Sequence, residues 1–413
     1  MDGRRQRRLY GWTLGLCVAL AAVAQAEWMV TELPTLGGSG GMEAWAVNEG
    51  GVVCGHGPDA NEIQCVFRYD GNMTVLPHLE PTNPHSVARD INSNGTVAGF
   101  SWNAGGRERA VYWVGTTLHE IPLPAGVDPD RSSRAEAVND AGVITGFYFD
   151  NDWSAKPYYY DGTVHDLAPA LAAEGFIDQT YADDINNHGV ICGHAKAGVY
   201  QLWTYDIATE TVTVLGAMDP LSGAFSKAIN DSGVIAGRGR SSVSSPYHAL
   251  LHDGVFRVID PTVTDAQWSW DMNNGGRVVG TAHATGVPDW SWYSDGPGDG
   301  SIIRIDLPGW TEVNVEGING HDVIVGYGET PTSGGESRAF ICAPPPGDAD
   351  HDGDVDLDDY AEFAACLSGP IEGDAFVAPS ADCLATFDFL PADGDVDLED
   401  FAVFQQAFTG SGG

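Results

Sequence analysis

One pattern of apolar and polar positions recurs seven times along the chain. It runs as a small or acidic residue, an apolar one, Asn, a short turn, Gly, and then an apolar stretch ending in Gly. The copies centre on Asn48, Asn92, Asn139, Asn186, Asn230, Asn273 and Asn319, at spacings of 44, 47, 47, 44, 43 and 46 residues. A near-constant period of this length predicts a repeat architecture. Each copy predicts four short strands. In the fifth they are 225–230, 234–237, 247–252 and 256–259, with Asn230-Asp231-Ser232-Gly233 and Asp253-Gly254 as turns. Gly233 supplies the positive φ that such a turn needs. No segment of the repeat region has the apolar spacing of an amphipathic helix.

Four strands per unit at this period predict blades of a β-propeller. The ends of the array bear on closure. The seventh copy has its third strand at 338–342 and then meets Pro344-Pro345-Pro346, so its fourth strand is missing. Before the first copy, 28–36 resembles fourth strands such as 73–79. A spare fourth strand at one end and a vacancy at the other predict a closed seven-bladed ring without exposed edges. An open β-solenoid with capping units is the alternative.

The repeated phrase resembles the HAF family of extracellular repeats, whose units read Ala-x-Ile-Asn-x-x-Gly-x-Val-x-Gly and then His-Ala-Phe. Ala228-Ile229-Asn230-Asp231-Ser232-Gly233-Val234-Ile235-Ala236-Gly237, with His248-Ala249-Leu250 and Arg338-Ala339-Phe340, carries the likeness. It covers about 27–343. The resemblance implies an extracellular repeat protein and brings no catalytic residues. The seven Asn are expected to be turn formers whose side chains bond nearby backbone.

The first residues support export. Arg4, Arg5, Arg7 and Arg8 precede an apolar run over 14–23, and Ala24-Gln25-Ala26 offers a small-x-small cleavage site, so 1–26 reads as a signal peptide. The run is short of the roughly 20 residues of a membrane span; an uncleaved anchor is the alternative. Removal takes four of 19 basic and one of 58 acidic side chains, leaving 15 against 57 and a net charge of −42. Such a field repels nucleic acid and anionic lipid. It suits divalent cations. The mature chain, with no later apolar stretch of spanning length, is expected to be secreted, extracellular or at the cell surface, and not membrane-spanning.

Beyond the proline linker at 344–346 the composition shifts: 347–413 holds 17 acidic residues and no Lys or Arg. Asp348, Asp350, Asp352, Asp356 and Asp359 stand at positions 1, 3, 5, 9 and 12 of a twelve-residue loop. Gly353 is at position 6, and Asp354 offers its carbonyl at position 7. That spacing wraps Ca²⁺ in the six to eight oxygens it prefers; a solvated acidic linker is the alternative. A second copy has Asp393, Asp395, Asp397 and Asp400, but Phe389 and Pro391 fall at its positions 1 and 3. Asp388 can serve only with one extra loop residue. An apolar stripe of Leu357, Tyr360, Phe363, Ala364 and Leu367 follows the first loop, and Leu398, Phe401, Phe404 and Phe408 follow the second. Cys366 and Cys383 flank the connection and are expected to bridge. Two such loops, each leading into a helix, resemble a type I dockerin over 347–410. The resemblance implies a cohesin-like scaffold partner, although loop positions 10 and 11 are Leu357-Asp358 and Leu398-Glu399 where cohesin-binding dockerins often carry Ser-Thr-type residues. The fold class predicted is therefore all-β, a seven-bladed β-propeller followed by a small α-helical EF-hand-like dockerin module.

No catalytic constellation stands out. Gly37-Gly38-Ser39-Gly40-Gly41 fits Gly-x-Ser-x-Gly but no helix follows it. With no Cys-x-x-Cys pair, neither a zinc knuckle nor a thioredoxin-like motif is supported; Cys54 and Cys65, on adjacent strands of one blade, are expected to be able to bridge. Trp268, Trp270, Trp290 and Trp292 crowd the sixth copy, where they either pack between blades or stack on sugars at the propeller mouth. Two readings result: a non-catalytic binding or structural propeller tethered by its calcium-loaded tail, with polysaccharide as a candidate partner, or a polysaccharide-active hydrolase or lyase delivered by it.

Overall fold

The computed structural model describes residues 28–344, except 220, 221, 241, 284–287 and 299, and in the tail 347, 348, 355, 357–366, 383, 387, 396, 400, 401, 404 and 405. The expected signal peptide, 1–26, lies outside the described residues. The chain divides into two compact units, one spanning Trp28–Pro344 and the other containing the tail.

Seven four-stranded antiparallel sheets follow one another over 43–75, 86–120, 133–166, 178–216, 224–258, 266–304 and 311–343. We call them blades one to seven and their strands a to d from the axis outward. In blade five they are Ala224–Ile229, Ile235–Gly239, His248–His252 and Phe256–Val258, within two residues of expectation. Blade seven takes its d strand from the start of the array: Met29–Glu32 runs antiparallel to Arg338–Ala343, with Met29 opposite Ala343 and Glu32 opposite Phe340. The ring is closed as the repeat ends predicted. Its apolar clusters lie between neighbouring blades. One joins Cys54 and Val66 of blade one to Ile91, Val111 and Trp113 of blade two; Trp203 and Trp292 are fully buried in others.

Every a strand carries a bulge at one position, where the ladder skips Trp45, Arg89, Glu136, Asp183, Lys227, Trp270 or Glu316. The bulge explains the second Gly of the repeat. On the facing b strand, a Cβ at Gly55, Gly99, Gly146, Gly193, Gly237, Gly280 or Gly326 would run into an a-strand carbonyl oxygen. The residue is fixed by close approach of backbone.

Two expectations are corrected. A short helix, Ala168–Ala173, stands between blades three and four and buries Leu171; at six residues it is too brief to show a helical period. Cys54 and Cys65 are not bridged. Cys54 lies opposite Arg68, and Cys65 opposite Gly57, three residues further along strand b. An odd offset puts the two side chains on opposite faces of the sheet.

In the tail, Leu357–Cys366 is helical and Cys366 is bridged to Cys383, as expected. Val355, Phe363, Phe387, Val396 and Phe404 form its core. Tyr360 and Ala364, expected on the buried stripe, are exposed; Tyr360 leans its ring towards Phe401 and Phe404. Leu367, Leu398, Phe408 and the side chain of Leu357 lie outside the described residues.

Candidate functional site: the propeller axis

The alternating strand directions put the Asn turns (a to b) on one face of the ring and the b-to-c loops on the other. On the first face, all seven Asn are buried around a mouth of about 150 Å³. Each side-chain oxygen accepts the N–H four residues on, closing its own turn; in blade one Val52 donates to Asn48 Oδ1 at 2.9 Å. The amide nitrogens then reach across blades. Asn48 Nδ2 donates to the Asn92 carbonyl, Asn92 to Asn139, Asn139 to Asn186, Asn186 to Asn230, Asn273 to Asn319, and Asn319 to Asn48, at 2.9–3.1 Å. The turn formers also join blades, a role that the fixed one-per-repeat spacing of Asn signals.

Next along the axis, Asp90, Asp184 and Asp271 occupy alternate blades, with Ala46, Ala137, Ala228 and Gly317 at the same position in the others. Their Oδ1 atoms accept the N–H of Ile91, Ile185 and Met272 at 2.7 Å. Their Oδ2 atoms accept the N–H of Val138, Ile229 and Ile318 in the following blade at 2.7–2.9 Å. Burial pushes Asp90 and Asp271 up to about 6, and pushes Asp184 well above the carboxylate range, where the charges of Asp90 and Asp271 add to it. The seven bulge residues line a waist of about 70 Å³ at this level. There Arg89 pairs with Glu136 at 3.5 Å and stacks over Trp45, and burial pushes Glu316 up to about 7.

On the opposite face, blades four to six open a cavity of about 340 Å³ lined by Tyr181, Asp183, His194, Tyr200, Phe225, Ser226, Lys227, Arg238, Ser269 and Trp270. Asp183 Oδ2 accepts from His194 Nδ1 at 2.6 Å and from Ser226 Oγ at 2.5 Å. The serine therefore bonds the carboxylate and not the imidazole, and these three residues do not form a Ser-His-Asp relay. His194 stacks on Tyr181, with ring centroids 5.0 Å apart. The Arg238 guanidinium lies over Trp268 at 4.3 Å, Phe225 at 5.3 Å and Tyr247 at 5.7 Å, and burial lowers its pKa from the usual guanidinium value. A larger groove of about 470 Å³ under 122–129 is less endowed: its Arg109 is held by Glu120 at 2.9 Å and the Pro129 carbonyl.

The tryptophans of the sixth copy divide. Trp292 is core, Trp290 packs on the same cluster, Trp270 lines the waist and the cavity, and Trp268 lies under Arg238. Sequence reasoning missed Asp183, His194, Lys227 and Arg238. They sit at repeat positions whose identity changes from blade to blade, and a search for invariants passes over such positions.

Of the expected calcium ligands, Asp348, Asp359 and Asp400 are described, and all three are buried. Asp350, Asp352, Asp354, Asp356, Asp388, Asp393, Asp395 and Asp397 lie outside the described residues. Among the described residues alone, no group of three or more metal-ligating side chains comes together.

No family model and no curated relative matches this sequence. Solved structures do match. A puromycin hydrolase complexed with PGG is 12% identical at a TM-score of 0.50, over 73% of this chain and 54% of the hydrolase. The β-propeller domain of the Trilobed protease from Pyrococcus furiosus is 11% identical at 0.45, over 73% of this chain and 95% of the domain. An oligogalacturonate lyase from Vibrio parahaemolyticus is 10% identical at 0.48, over 76% of this chain and 93% of the lyase. The chain spans about half the length of the hydrolase, and at these identities the likeness is one of propeller fold.

Proposed function

We propose that this is a secreted polysaccharide-binding propeller, tied to an extracellular assembly by a calcium-binding, dockerin-like tail with a cohesin-like partner. The observation that carries the binding reading is the cavity of blades four to six. Its size falls in the range of small-ligand sites, and its lining of aromatic rings with a few polar groups suits the apolar faces and hydroxyls of a sugar. Two features support the tail reading. Val355 and Val396, each the eighth residue of its loop counted from the glycine at position 6, are fully buried in one core. The buried Asp348 and Asp359 are the first and twelfth residues of the loop most complete in ligands. A glycan array probed with the full mature chain tests the binding reading: retention of a polysaccharide that is lost on Trp270→Ala and Tyr200→Ala supports it, and an empty array refutes it.

One observation favours the enzymatic alternative. Asp183 fixes His194 through Nδ1, and among the described residues Nε2 has no hydrogen-bond partner, so the ring is oriented as a general base would be. Incubating the bound polysaccharide with wild type and His194→Ala decides: new chain ends with wild type alone make this an enzyme, and intact polymer leaves it a binding protein.

A further inference from the structure

Basic side chains are scarce here, 19 against 58 acidic ones, and most described arginines contact a carboxylate. Arg68, Arg89, Arg109, Arg131, Arg134, Arg257, Arg277, Arg304 and Arg338 all do so within 4.0 Å. Arg238 does not. It lines the cavity, its neighbours are the rings of Trp268, Phe225 and Tyr247, and among the described residues no carboxylate or carbonyl pairs with it. Arg240, 4.0 Å over Tyr247, also has no carboxylate among the described residues, where its buried Nε has no hydrogen-bond partner. Lys227 is the second cation of the lining itself. The one acid there, Asp183, has an oxygen already committed to His194 and Ser226.

A partly desolvated guanidinium held over aromatic rings, with no carboxylate among the described residues in salt-bridge contact and Asp183 acting on it only from a distance, is a site short of a bound counter-ion. The planar fork of Arg matches a carboxylate with two parallel N–H···O bonds, a match that favours carboxylate over a neutral hydroxyl. We propose that the cavity of blades four to six binds a carboxylate-bearing sugar, with Arg238 gripping the carboxylate and the flanking rings receiving the sugar face. This rests on the polysaccharide-binding reading and narrows it to uronates. The negative charge of the whole chain does not oppose it at contact range, because charges more than about 8 Å away are largely screened at physiological salt.

The test is calorimetric titration of the full mature chain with oligogalacturonate, its methyl ester, a sulfated oligosaccharide and a neutral cello-oligosaccharide. The acid is expected to bind at least tenfold more tightly than its ester. Arg238→Ala should remove that preference and Arg238→Lys should restore part of it. A purely stacking role for Arg238 would leave the acid-to-ester ratio unchanged. Equal binding of acid, ester and neutral sugar overturns the inference while leaving sugar binding intact. Preference for the sulfated probe overturns the carboxylate assignment, and no binding of any probe overturns both readings. Should Arg238→Ala fail to fold, the acid-to-ester comparison on wild type alone decides.

Discussion

At the residue scale, all seven asparagines close their own turns, six of them also bond the next blade with the same side chain, and the jobs separate by mutation. In Asn139→Ala, the Val143 N–H loses its acceptor and the Asn186 carbonyl loses one of its two donors, keeping the Gly189 N–H. The first group is half-buried and the second is buried but keeps one bond, so a cost of about 1–2 kcal/mol is expected in urea denaturation. Asn139→Asp keeps the acceptor but sets a carboxylate against the Asn186 carbonyl, so it should be less stable at pH 7 than at pH 4 relative to wild type; an Asp variant equal to wild type at pH 7 would refute the cross-blade role. The three axial aspartates give a second prediction. Their folded pKa values lie above the ordinary Asp value of ≈ 3.9, so the folded state holds protons the unfolded state releases. The stability they confer is present in acid and is lost as pH rises through about 6, further still for Asp184. Asp184→Ala lacks one such group, so the stability gap in favour of wild type should widen from pH 8 to pH 5; a gap that does not vary with pH would contradict the assignment. Asn and Gly were legible in the sequence because backbone geometry holds them constant. The aspartates were not, because their position alternates with Ala and looks like tolerated variation.

At the element scale, the strand order and the closure of the ring were legible, because turn signals repeat and the surplus strand at one end matches the vacancy at the other. The bulges were not, since a bulge leaves apolar alternation intact on either side and only shifts which face comes next. That shift is what turns Lys227 and Trp270 towards the axis. The same blindness to register misled the Cys54–Cys65 pairing. The closing strand itself is testable by starting the mature chain at Gly41. The deletion removes Leu33, which is buried, and Trp28 and Val30, which pack on the blade six–seven cluster, and it uncovers the edge of Arg338–Ala343. Lost burial of three apolar side chains is on the order of 5 kcal/mol, and at a few degrees per kcal/mol the melting temperature should fall by roughly 10 °C. A truncated chain that melts with the full mature protein would show that Met29–Glu32 does not close the ring in solution.

At the scale of the whole molecule, the propeller and the tail are separate compact units that meet different physical problems. The propeller has an apolar cluster between successive blades and is expected to hold without any ion. The tail concentrates acid in a segment whose described core is five side chains, closed by one disulfide. A segment this short rarely sustains a domain on apolar burial alone, and on the proposed calcium-binding reading the many acidic side chains of its sequence repel one another without a cation, so calcium binding and folding of the tail should be one event. The loops are unequal: the first offers carboxylates at positions 1, 3, 5, 9 and 12, and the second lacks good ones at 1 and 3. The first site should be the tighter, with extracellular modules of this kind commonly at about 10⁻⁴ to 10⁻³ M. Calorimetry of the mature chain should then show two transitions, of which EGTA abolishes the tail's and leaves the propeller's in place. Asp348→Ala with Asp359→Ala should do the same even in millimolar calcium, because the tighter site supplies most of the coupling. If the tail transition persists unchanged in EGTA, the acidic loops are not metal sites and the tail stands on its core and disulfide alone.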